Sequence, residues 1–153
     1  MKTFELINLG SNYLKDRSVL SPRLDSEIIL SHITGISRER LLITEKDINL
    51  DKIKKFKSLI YRRSKNEPIA YITKNKEFRS TKFFVNKDAL IPRPETELLI
   101  DPIISIFKRR KLFFLDIGIG TGCIIFSILK ELQHRRAIGI DKSKQTIICA
   151  KKN

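Results

Sequence analysis

A small helical bundle followed by the opening of a parallel α/β sheet is the fold that three features of this 153-residue chain predict. Up to about Lys65 the apolar residues recur at helical spacing. After Pro68 the period shortens to that of strands. From Leu112 an apolar run ends in an acid and a glycine-dense turn, Asp116-Ile-Gly118-Ile-Gly120-Thr-Gly122, and a helix, a strand and a further helix follow. Such a turn after a strand is how an open α/β sheet builds a site for a nucleotide-type cofactor, yet only the first β-α units of such a sheet fit before Asn153. The expected organisation is a helical domain over 1–65, a hairpin and loop linker over 66–92, and a partial cofactor domain over 93–153.

In the first domain Phe4, Ile7, Leu9, Tyr13 and Leu14 approximate one helical stripe from Thr3 to Arg17. Ser21-Pro22 supplies a cap and a first-turn proline for a helix to Ile33, and Gly35 closes it with a left-handed residue. Ser37 opens a short helix through Leu42. Asn49 or Asp51 caps a fourth, with Ile53, Phe56, Ile60 and Tyr61 inward and Lys52, Lys54, Lys55, Lys57, Arg62 and Arg63 in water.

Lys76 to Arg79 and Lys82 to Val85, split by Ser80-Thr81, suit a hairpin joining the domains. Two prolines keep Leu90-Ile-Pro-Arg-Pro94 extended, and a helix from Glu95 to Arg109 should kink or split at Pro102, which lacks a backbone donor. Leu112 to Ile117 reads as a buried strand, Thr121 to Leu132 as a helix, Ala137 to Asp141 as a strand and Ser143 to Lys152 as a helix. Right-handed crossover makes the strands parallel neighbours, with the glycine turn and Asp141 at the same end.

Composition excludes several classes. With 41% hydrophobic and 31% charged residues the chain is globular rather than disordered. No run approaches the roughly 18 uninterrupted apolar residues of a membrane helix, and no apolar targeting segment opens the chain, so a soluble cytoplasmic protein is expected. Cys123 and Cys149 have neither CxxC spacing nor a nearby histidine, which points away from metal and disulfide. His32 and His134 have no second His or carboxylate at catalytic spacing in the sequence, which favours ordinary surface or satisfied roles. The net charge of +14 favours nucleic acid or an acidic protein, but lysine scattered among abundant isoleucine also follows from a biased source genome. A weak RNA contact through Lys52 to Lys65 is one reading of that helix; plain solvation is the other.

The turn carries the chemistry. Gly118, Gly120 and Gly122 let a ligand approach the backbone, and the helix starting near Thr121 offers its free N–H groups. Asp116 would repel a pyrophosphate and attract the ammonium of an amino-acid moiety, such as that of S-adenosylmethionine. Asp141, roughly 20 residues on, is placed to accept from both ribose hydroxyls. Taken separately, the turn can serve only helix–strand packing and Asp141 or Ser143 can be a helix cap; the combined order favours a cofactor site.

Tyr71-Ile-Thr-Lys-Asn-Lys-Glu-Phe78, Phe84-Val85 and Leu90-Ile-Pro-Arg-Pro-Glu-Thr-Glu97, ahead of the glycine turn, resemble the release-factor glutamine methyltransferases, the HemK/PrmC family. The resemblance covers nearly the whole chain and implies the first two β-α units of a Rossmann-like methyltransferase sheet behind a substrate-recognition bundle. It implies transfer of a methyl group from S-adenosylmethionine to the Gly-Gly-Gln glutamine of class 1 peptide chain release factors, by a protein that is a monomer when complete. The cofactor would be held by Asp116, Gly118, Ile119, Gly120, Thr121, Gly122 and Asp141, with Arg93 to Thr96 either near its pocket or bracing the domain connection.

Lys74 stands where the family usually has Gly, Ile119 where it has Thr, and Pro102 interrupts a helix that usually runs on. Ile119 is expected to expose an apolar side chain and forfeit a hydrogen bond worth about 0.5–1.5 kcal/mol. The family's Asn-Pro-Pro-Tyr loop is not in the sequence, so no catalytic residue is assigned and the chain is expected to be truncated and inactive alone. The alternatives are a non-catalytic remnant or split-gene half that binds release factor or RNA, and a nucleic-acid adenine methyltransferase, against which the Ile-Pro-Arg-Pro-Glu-Thr-Glu string argues.

Overall fold

The computed structural model describes residues 1–110, 112–132 and 136–153, arranged as two compact units, Met1–Thr73 and Lys74–Asn153. His134 lies outside the described residues.

The first unit holds α1 (Thr3–Lys15), α2 (Pro22–Thr34), α3 (Arg38–Ile43), α4 (Leu50–Ser64) and α5 (Ile69–Thr73). Their ends follow local chemistry. Pro22 occupies the first turn of α2, Gly35 closes it at φ 73°, and the Ser37 hydroxyl accepts from the Arg40 N–H at the start of α3. Of the two candidates for capping α4, Asn49 does it, accepting from the Lys52 N–H at 3.0 Å. The unit extends past Lys65 because α5 returns Ile72 to the core formed by Leu6, Leu14, Ile29, Leu30, Leu41 and Phe56.

Two helical phases differ from expectation. In α1 the buried face is Leu6, Ile7, Gly10 and Leu14, leaving Leu9 partly exposed. Gly10 sits in that face because a Cβ there would lie 2.5 Å from Ser26 Oγ and 2.7 Å from the Phe56 ring; the helices approach only because it is absent. In α4, Leu59 is buried and Tyr61, two residues and about 200° further round, is exposed. Arg63 is not on the wet side: its Nε donates to the buried Asp25 carboxylate at 2.7 Å, linking α4 to α2.

The second unit begins with β1 (Asn75–Phe78) and β2 (Thr81–Phe84), an antiparallel hairpin. Its loop is Arg79-Ser80, both at positive φ (46° and 56°), one residue earlier than the expected break. A 3-10 turn over Pro94–Leu99 leads into α6 (Ile100–Phe107). The expected split therefore falls before Pro102, which sits in the first turn of α6, where an N–H has no helical partner to lose.

β3 (Phe113–Ile117), α7 (Cys123–Glu131), β4 (Arg136–Ile140) and α8 (Lys144–Ala150) complete the chain, with β3 and β4 parallel. The register pairs Leu115 with Ile138 and Ile117 with Ile140. One face of this two-stranded sheet is covered: Phe114 stacks edge-on to Phe107 of α6, beside Ile128 and Leu132. The other is not, and the expectation of a buried strand is corrected: Phe113, Leu115, Ile117, Ile138 and Ile140 are 45–75% exposed, since side chains alternate and no described element packs on that side.

Candidate functional site

Parallel pairing sets the C-terminal ends of β3 and β4 side by side. From β3 the chain enters Gly118 to Gly122; from β4 it enters Asp141. The Ile140 carbonyl accepts from the N–H groups of Gly118 (2.8 Å) and Ile119 (2.9 Å), which folds the turn over the end of β4. Gly118, Gly120 and Gly122 lie at φ 83°, 57° and 79°. At Gly122 the need for glycine is double, because a Cβ would also run into the Phe126 ring. A Cβ on Gly118 would meet nothing within 4 Å, so the turn has an open side.

Asp141 spans the two strand ends. Its Oδ2 accepts from the Gly120 N–H at 3.3 Å and its Oδ1 from the Ser143 N–H at 3.0 Å. Ser143 in turn accepts from the Thr146 N–H and caps α8, so the capping role falls to Ser143 while the Asp141 carboxylate stays with the turn. Each of its oxygens keeps a lone pair for a further donor.

Asp116, last but one in β3, has one oxygen fully buried without a hydrogen-bond partner among the described residues, and burial pushes its carboxyl above the ordinary range. Thr121 Oγ1 is also buried, with no partner better than the weakly polar Cys123 thiol. Buried polar atoms are nearly always paired in native proteins, so two lacking partners beside one glycine turn form the arrangement a polar ligand completes.

Ile119 is the exception. Its side chain is half-buried and lies across Gly139 of β4, filling the volume that any Cβ at 139 would need, so the expectation that it stands exposed is corrected. It offers backbone rather than side chain to a ligand. Arg93, Pro94 and Glu95 are exposed at the start of the 3-10 turn. Cys123 and Cys149 are buried free thiols, and burial pushes both up from the ordinary thiol value. Among the described residues no group of three His, Cys, Asp or Glu gathers as for a metal, and no helix is long and apolar enough to cross a membrane.

Residues 5–73 match the PrmC N-terminal domain family. Over 87% of its length the chain is 38% identical to a release factor glutamine methyltransferase from Buchnera aphidicola subsp. Schizaphis graminum, covering 49% of that protein. Over 97% it is 36% identical to one from Leptospira interrogans, covering 53% of it. The chain corresponds to the N-terminal part of the release factor glutamine methyltransferase family. It spans about half the length of those two relatives, and a third of a bifunctional methyltransferase from Rickettsia typhi to which it is 37% identical.

Lys74 has φ 55°, so a lysine occupies a left-handed conformation that glycine adopts freely. One residue of the site was not singled out from sequence: Asn153, whose side chain contacts both the hairpin and the glycine turn. A single asparagine after a helix carries no periodic or motif signal.

Proposed function

We propose that this chain holds S-adenosylmethionine for a cytoplasmic protein-(glutamine N5) methyltransferase whose substrate is the Gly-Gly-Gln glutamine of class 1 peptide chain release factors. Its helical domain is the part that recognises the factor. The observation that carries the cofactor reading is the partnerless buried oxygen of Asp116 beside an open glycine turn that Asp141 closes from the other strand.

The residues present fit that cofactor. An ammonium supplies the charge and donors that the desolvated Asp116 carboxylate lacks, whereas a phosphate would add a second negative charge there. Ribose hydroxyls match the free acceptor capacity of Asp141. The backbone from Gly118 to Gly122 lets the ligand lie close because nothing projects at Gly118. When bound, the cofactor supplies an electrophilic methyl group on a sulfonium.

An amide nitrogen is a poor nucleophile because its lone pair is delocalised, so the reaction depends on holding that nitrogen in line and accepting its proton. The 153 residues contain no Asn-Pro-Pro-Tyr string, and none of them is assigned to that step. The chain's part is to bind the donor and orient it.

Titration calorimetry of the chain with S-adenosylmethionine and with NAD tests this. Binding of the first, abolished by Asp141→Ala, is expected. Preference for NAD, or no binding of either, would overturn the reading.

A further inference from the structure

The Thr121–Gly122 peptide ends the glycine turn, between a β-branched residue and a glycine at φ 79°. Its plane turns with Thr121 ψ and Gly122 φ, and glycine leaves the second of these loosely restrained unless hydrogen bonds hold it. They hold it at both ends. The Gly122 N–H donates to the Ile119 carbonyl at 2.8 Å, and the Thr121 carbonyl accepts from Asn153 Nδ2 at 2.9 Å.

Asn153 is itself anchored on the hairpin. Its Oδ1 accepts from the Phe84 N–H at 2.6 Å, and its Nδ2 also donates to the Phe84 carbonyl at 3.1 Å, so the side-chain amide pairs with β2 as another strand would. The end of α8 is fixed beside it. Thr146 Oγ1 donates to the Asp88 carbonyl at 2.6 Å, and the Cys149 thiol reaches the Phe84 carbonyl at 3.7 Å.

We propose that Asn153 is a positioning residue for the cofactor turn, holding the Thr121 carbonyl from β2 and thereby coupling the hairpin to the binding site. Through it, ordering of the turn by a ligand tightens the pairing at Phe84, and disturbance of β2 loosens the turn. Coupling of this kind is reciprocal by thermodynamic necessity. The ligand named for the site rests on the S-adenosylmethionine reading above; the positioning itself does not.

Hydrogen exchange of the whole chain, without ligand, separates the two. In Asn153→Ala the Gly122 amide should exchange about tenfold faster, the loss expected for a hydrogen-bonded tether, while the amides of β3 and β4 keep their protection. Asn153→Asp keeps an acceptor for the Phe84 N–H but turns an oxygen toward two carbonyls, so it should speed Gly122 at least as much. S-adenosylmethionine should bind both variants about tenfold more weakly and should slow Phe84 exchange in the unsubstituted chain only. Unchanged Gly122 exchange with native protection elsewhere overturns the proposal. So does a loss of protection spread over β3 and β4, which would make Asn153 a fold residue. Faster Gly122 exchange in variants of a chain that never binds S-adenosylmethionine leaves the positioning in place and removes the cofactor reading.

Discussion

In the helical unit the buried Asp25 meets Arg63 at 2.7 Å, and the buried Glu27 is held by Arg23 at 3.0 Å and Arg38 at 3.6 Å. In the α/β unit the buried oxygen of Asp116 and the Thr121 hydroxyl have no hydrogen-bond partner, and one sheet face is left uncovered among the described residues. The first unit satisfies its polar groups from within; the second leaves two without a hydrogen-bond partner among the described residues. Unpaired buried polarity costs stability, so it persists where something outside the unit repays it.

The largest effect should come from breaking the internal satisfaction of the helical unit. Arg63→Ala leaves the Asp25 carboxylate buried and unpaired, and should destabilise the unit by about 3–5 kcal/mol. Urea unfolding, with hydrogen exchange read on α1, α2 and α4, measures it. Replacing both partners, Asp25→Leu with Arg63→Met, should recover most of the loss, since an apolar pair needs no compensation. If the single variant costs under about 1 kcal/mol, the pair behaves as a surface contact and the contrast between units fails.

Lys74→Gly should do the opposite in the α/β unit. A non-glycine residue in the left-handed region costs roughly 1–2 kcal/mol and glycine's extra unfolded-state entropy returns part of that, so the net gain is about 1 kcal/mol. A rise in the unfolding midpoint of β1 and β2 would show it. An unchanged or lower midpoint would mean that the Lys74 side chain offsets the backbone cost.

A smaller effect, switched by pH, belongs to Asp116. Burial raises its carboxyl above the ordinary 3.8, so the folded unit holds the proton more tightly than the unfolded chain. Below 3.8 both states are protonated and nothing is lost. As pH climbs from there through the raised folded value the unit loses stability, and above it the loss stays constant. Asp116→Asn should remove that decline while weakening S-adenosylmethionine binding. A decline of the same size in the variant would place the titrating group elsewhere.

What could be read in advance divides along the same line. Caps and the glycine turn were legible because Pro22, Gly35, Asn49 and Gly118 to Gly122 act through their own backbone or the next turn of chain. The hairpin was placed one residue off because Arg79-Ser80 adopts positive φ without the Asn or Gly that advertises it. Arg63 looked solvated in a basic helix and was not, since its partner lies 38 positions earlier. The hold of Ile119 on Gly139 and of Asn153 on Thr121 are likewise tertiary facts, set by which strands become neighbours. Local chemistry shows in sequence; a partner far along the chain does not.

The smallest predicted effect tests the exposed sheet face. Leu115 is 59% exposed while Leu30 is wholly buried, so the same truncation should read differently in the two units. At Leu30, Ala should cost about 2–5 kcal/mol through lost transfer energy and a cavity. At Leu115, where no cavity forms, it should cost no more than about 0.5 kcal/mol. The comparison is informative because Leu115 lies among Phe113, Ile117, Ile138 and Ile140, an apolar patch of the kind that protein surfaces seldom leave bare. If the face is wet in solution, Leu115→Ala is silent at every protein concentration. If copies cover it for one another, the cost rises toward the Leu30 value as concentration increases, and sedimentation shows the association that Leu115→Ala weakens.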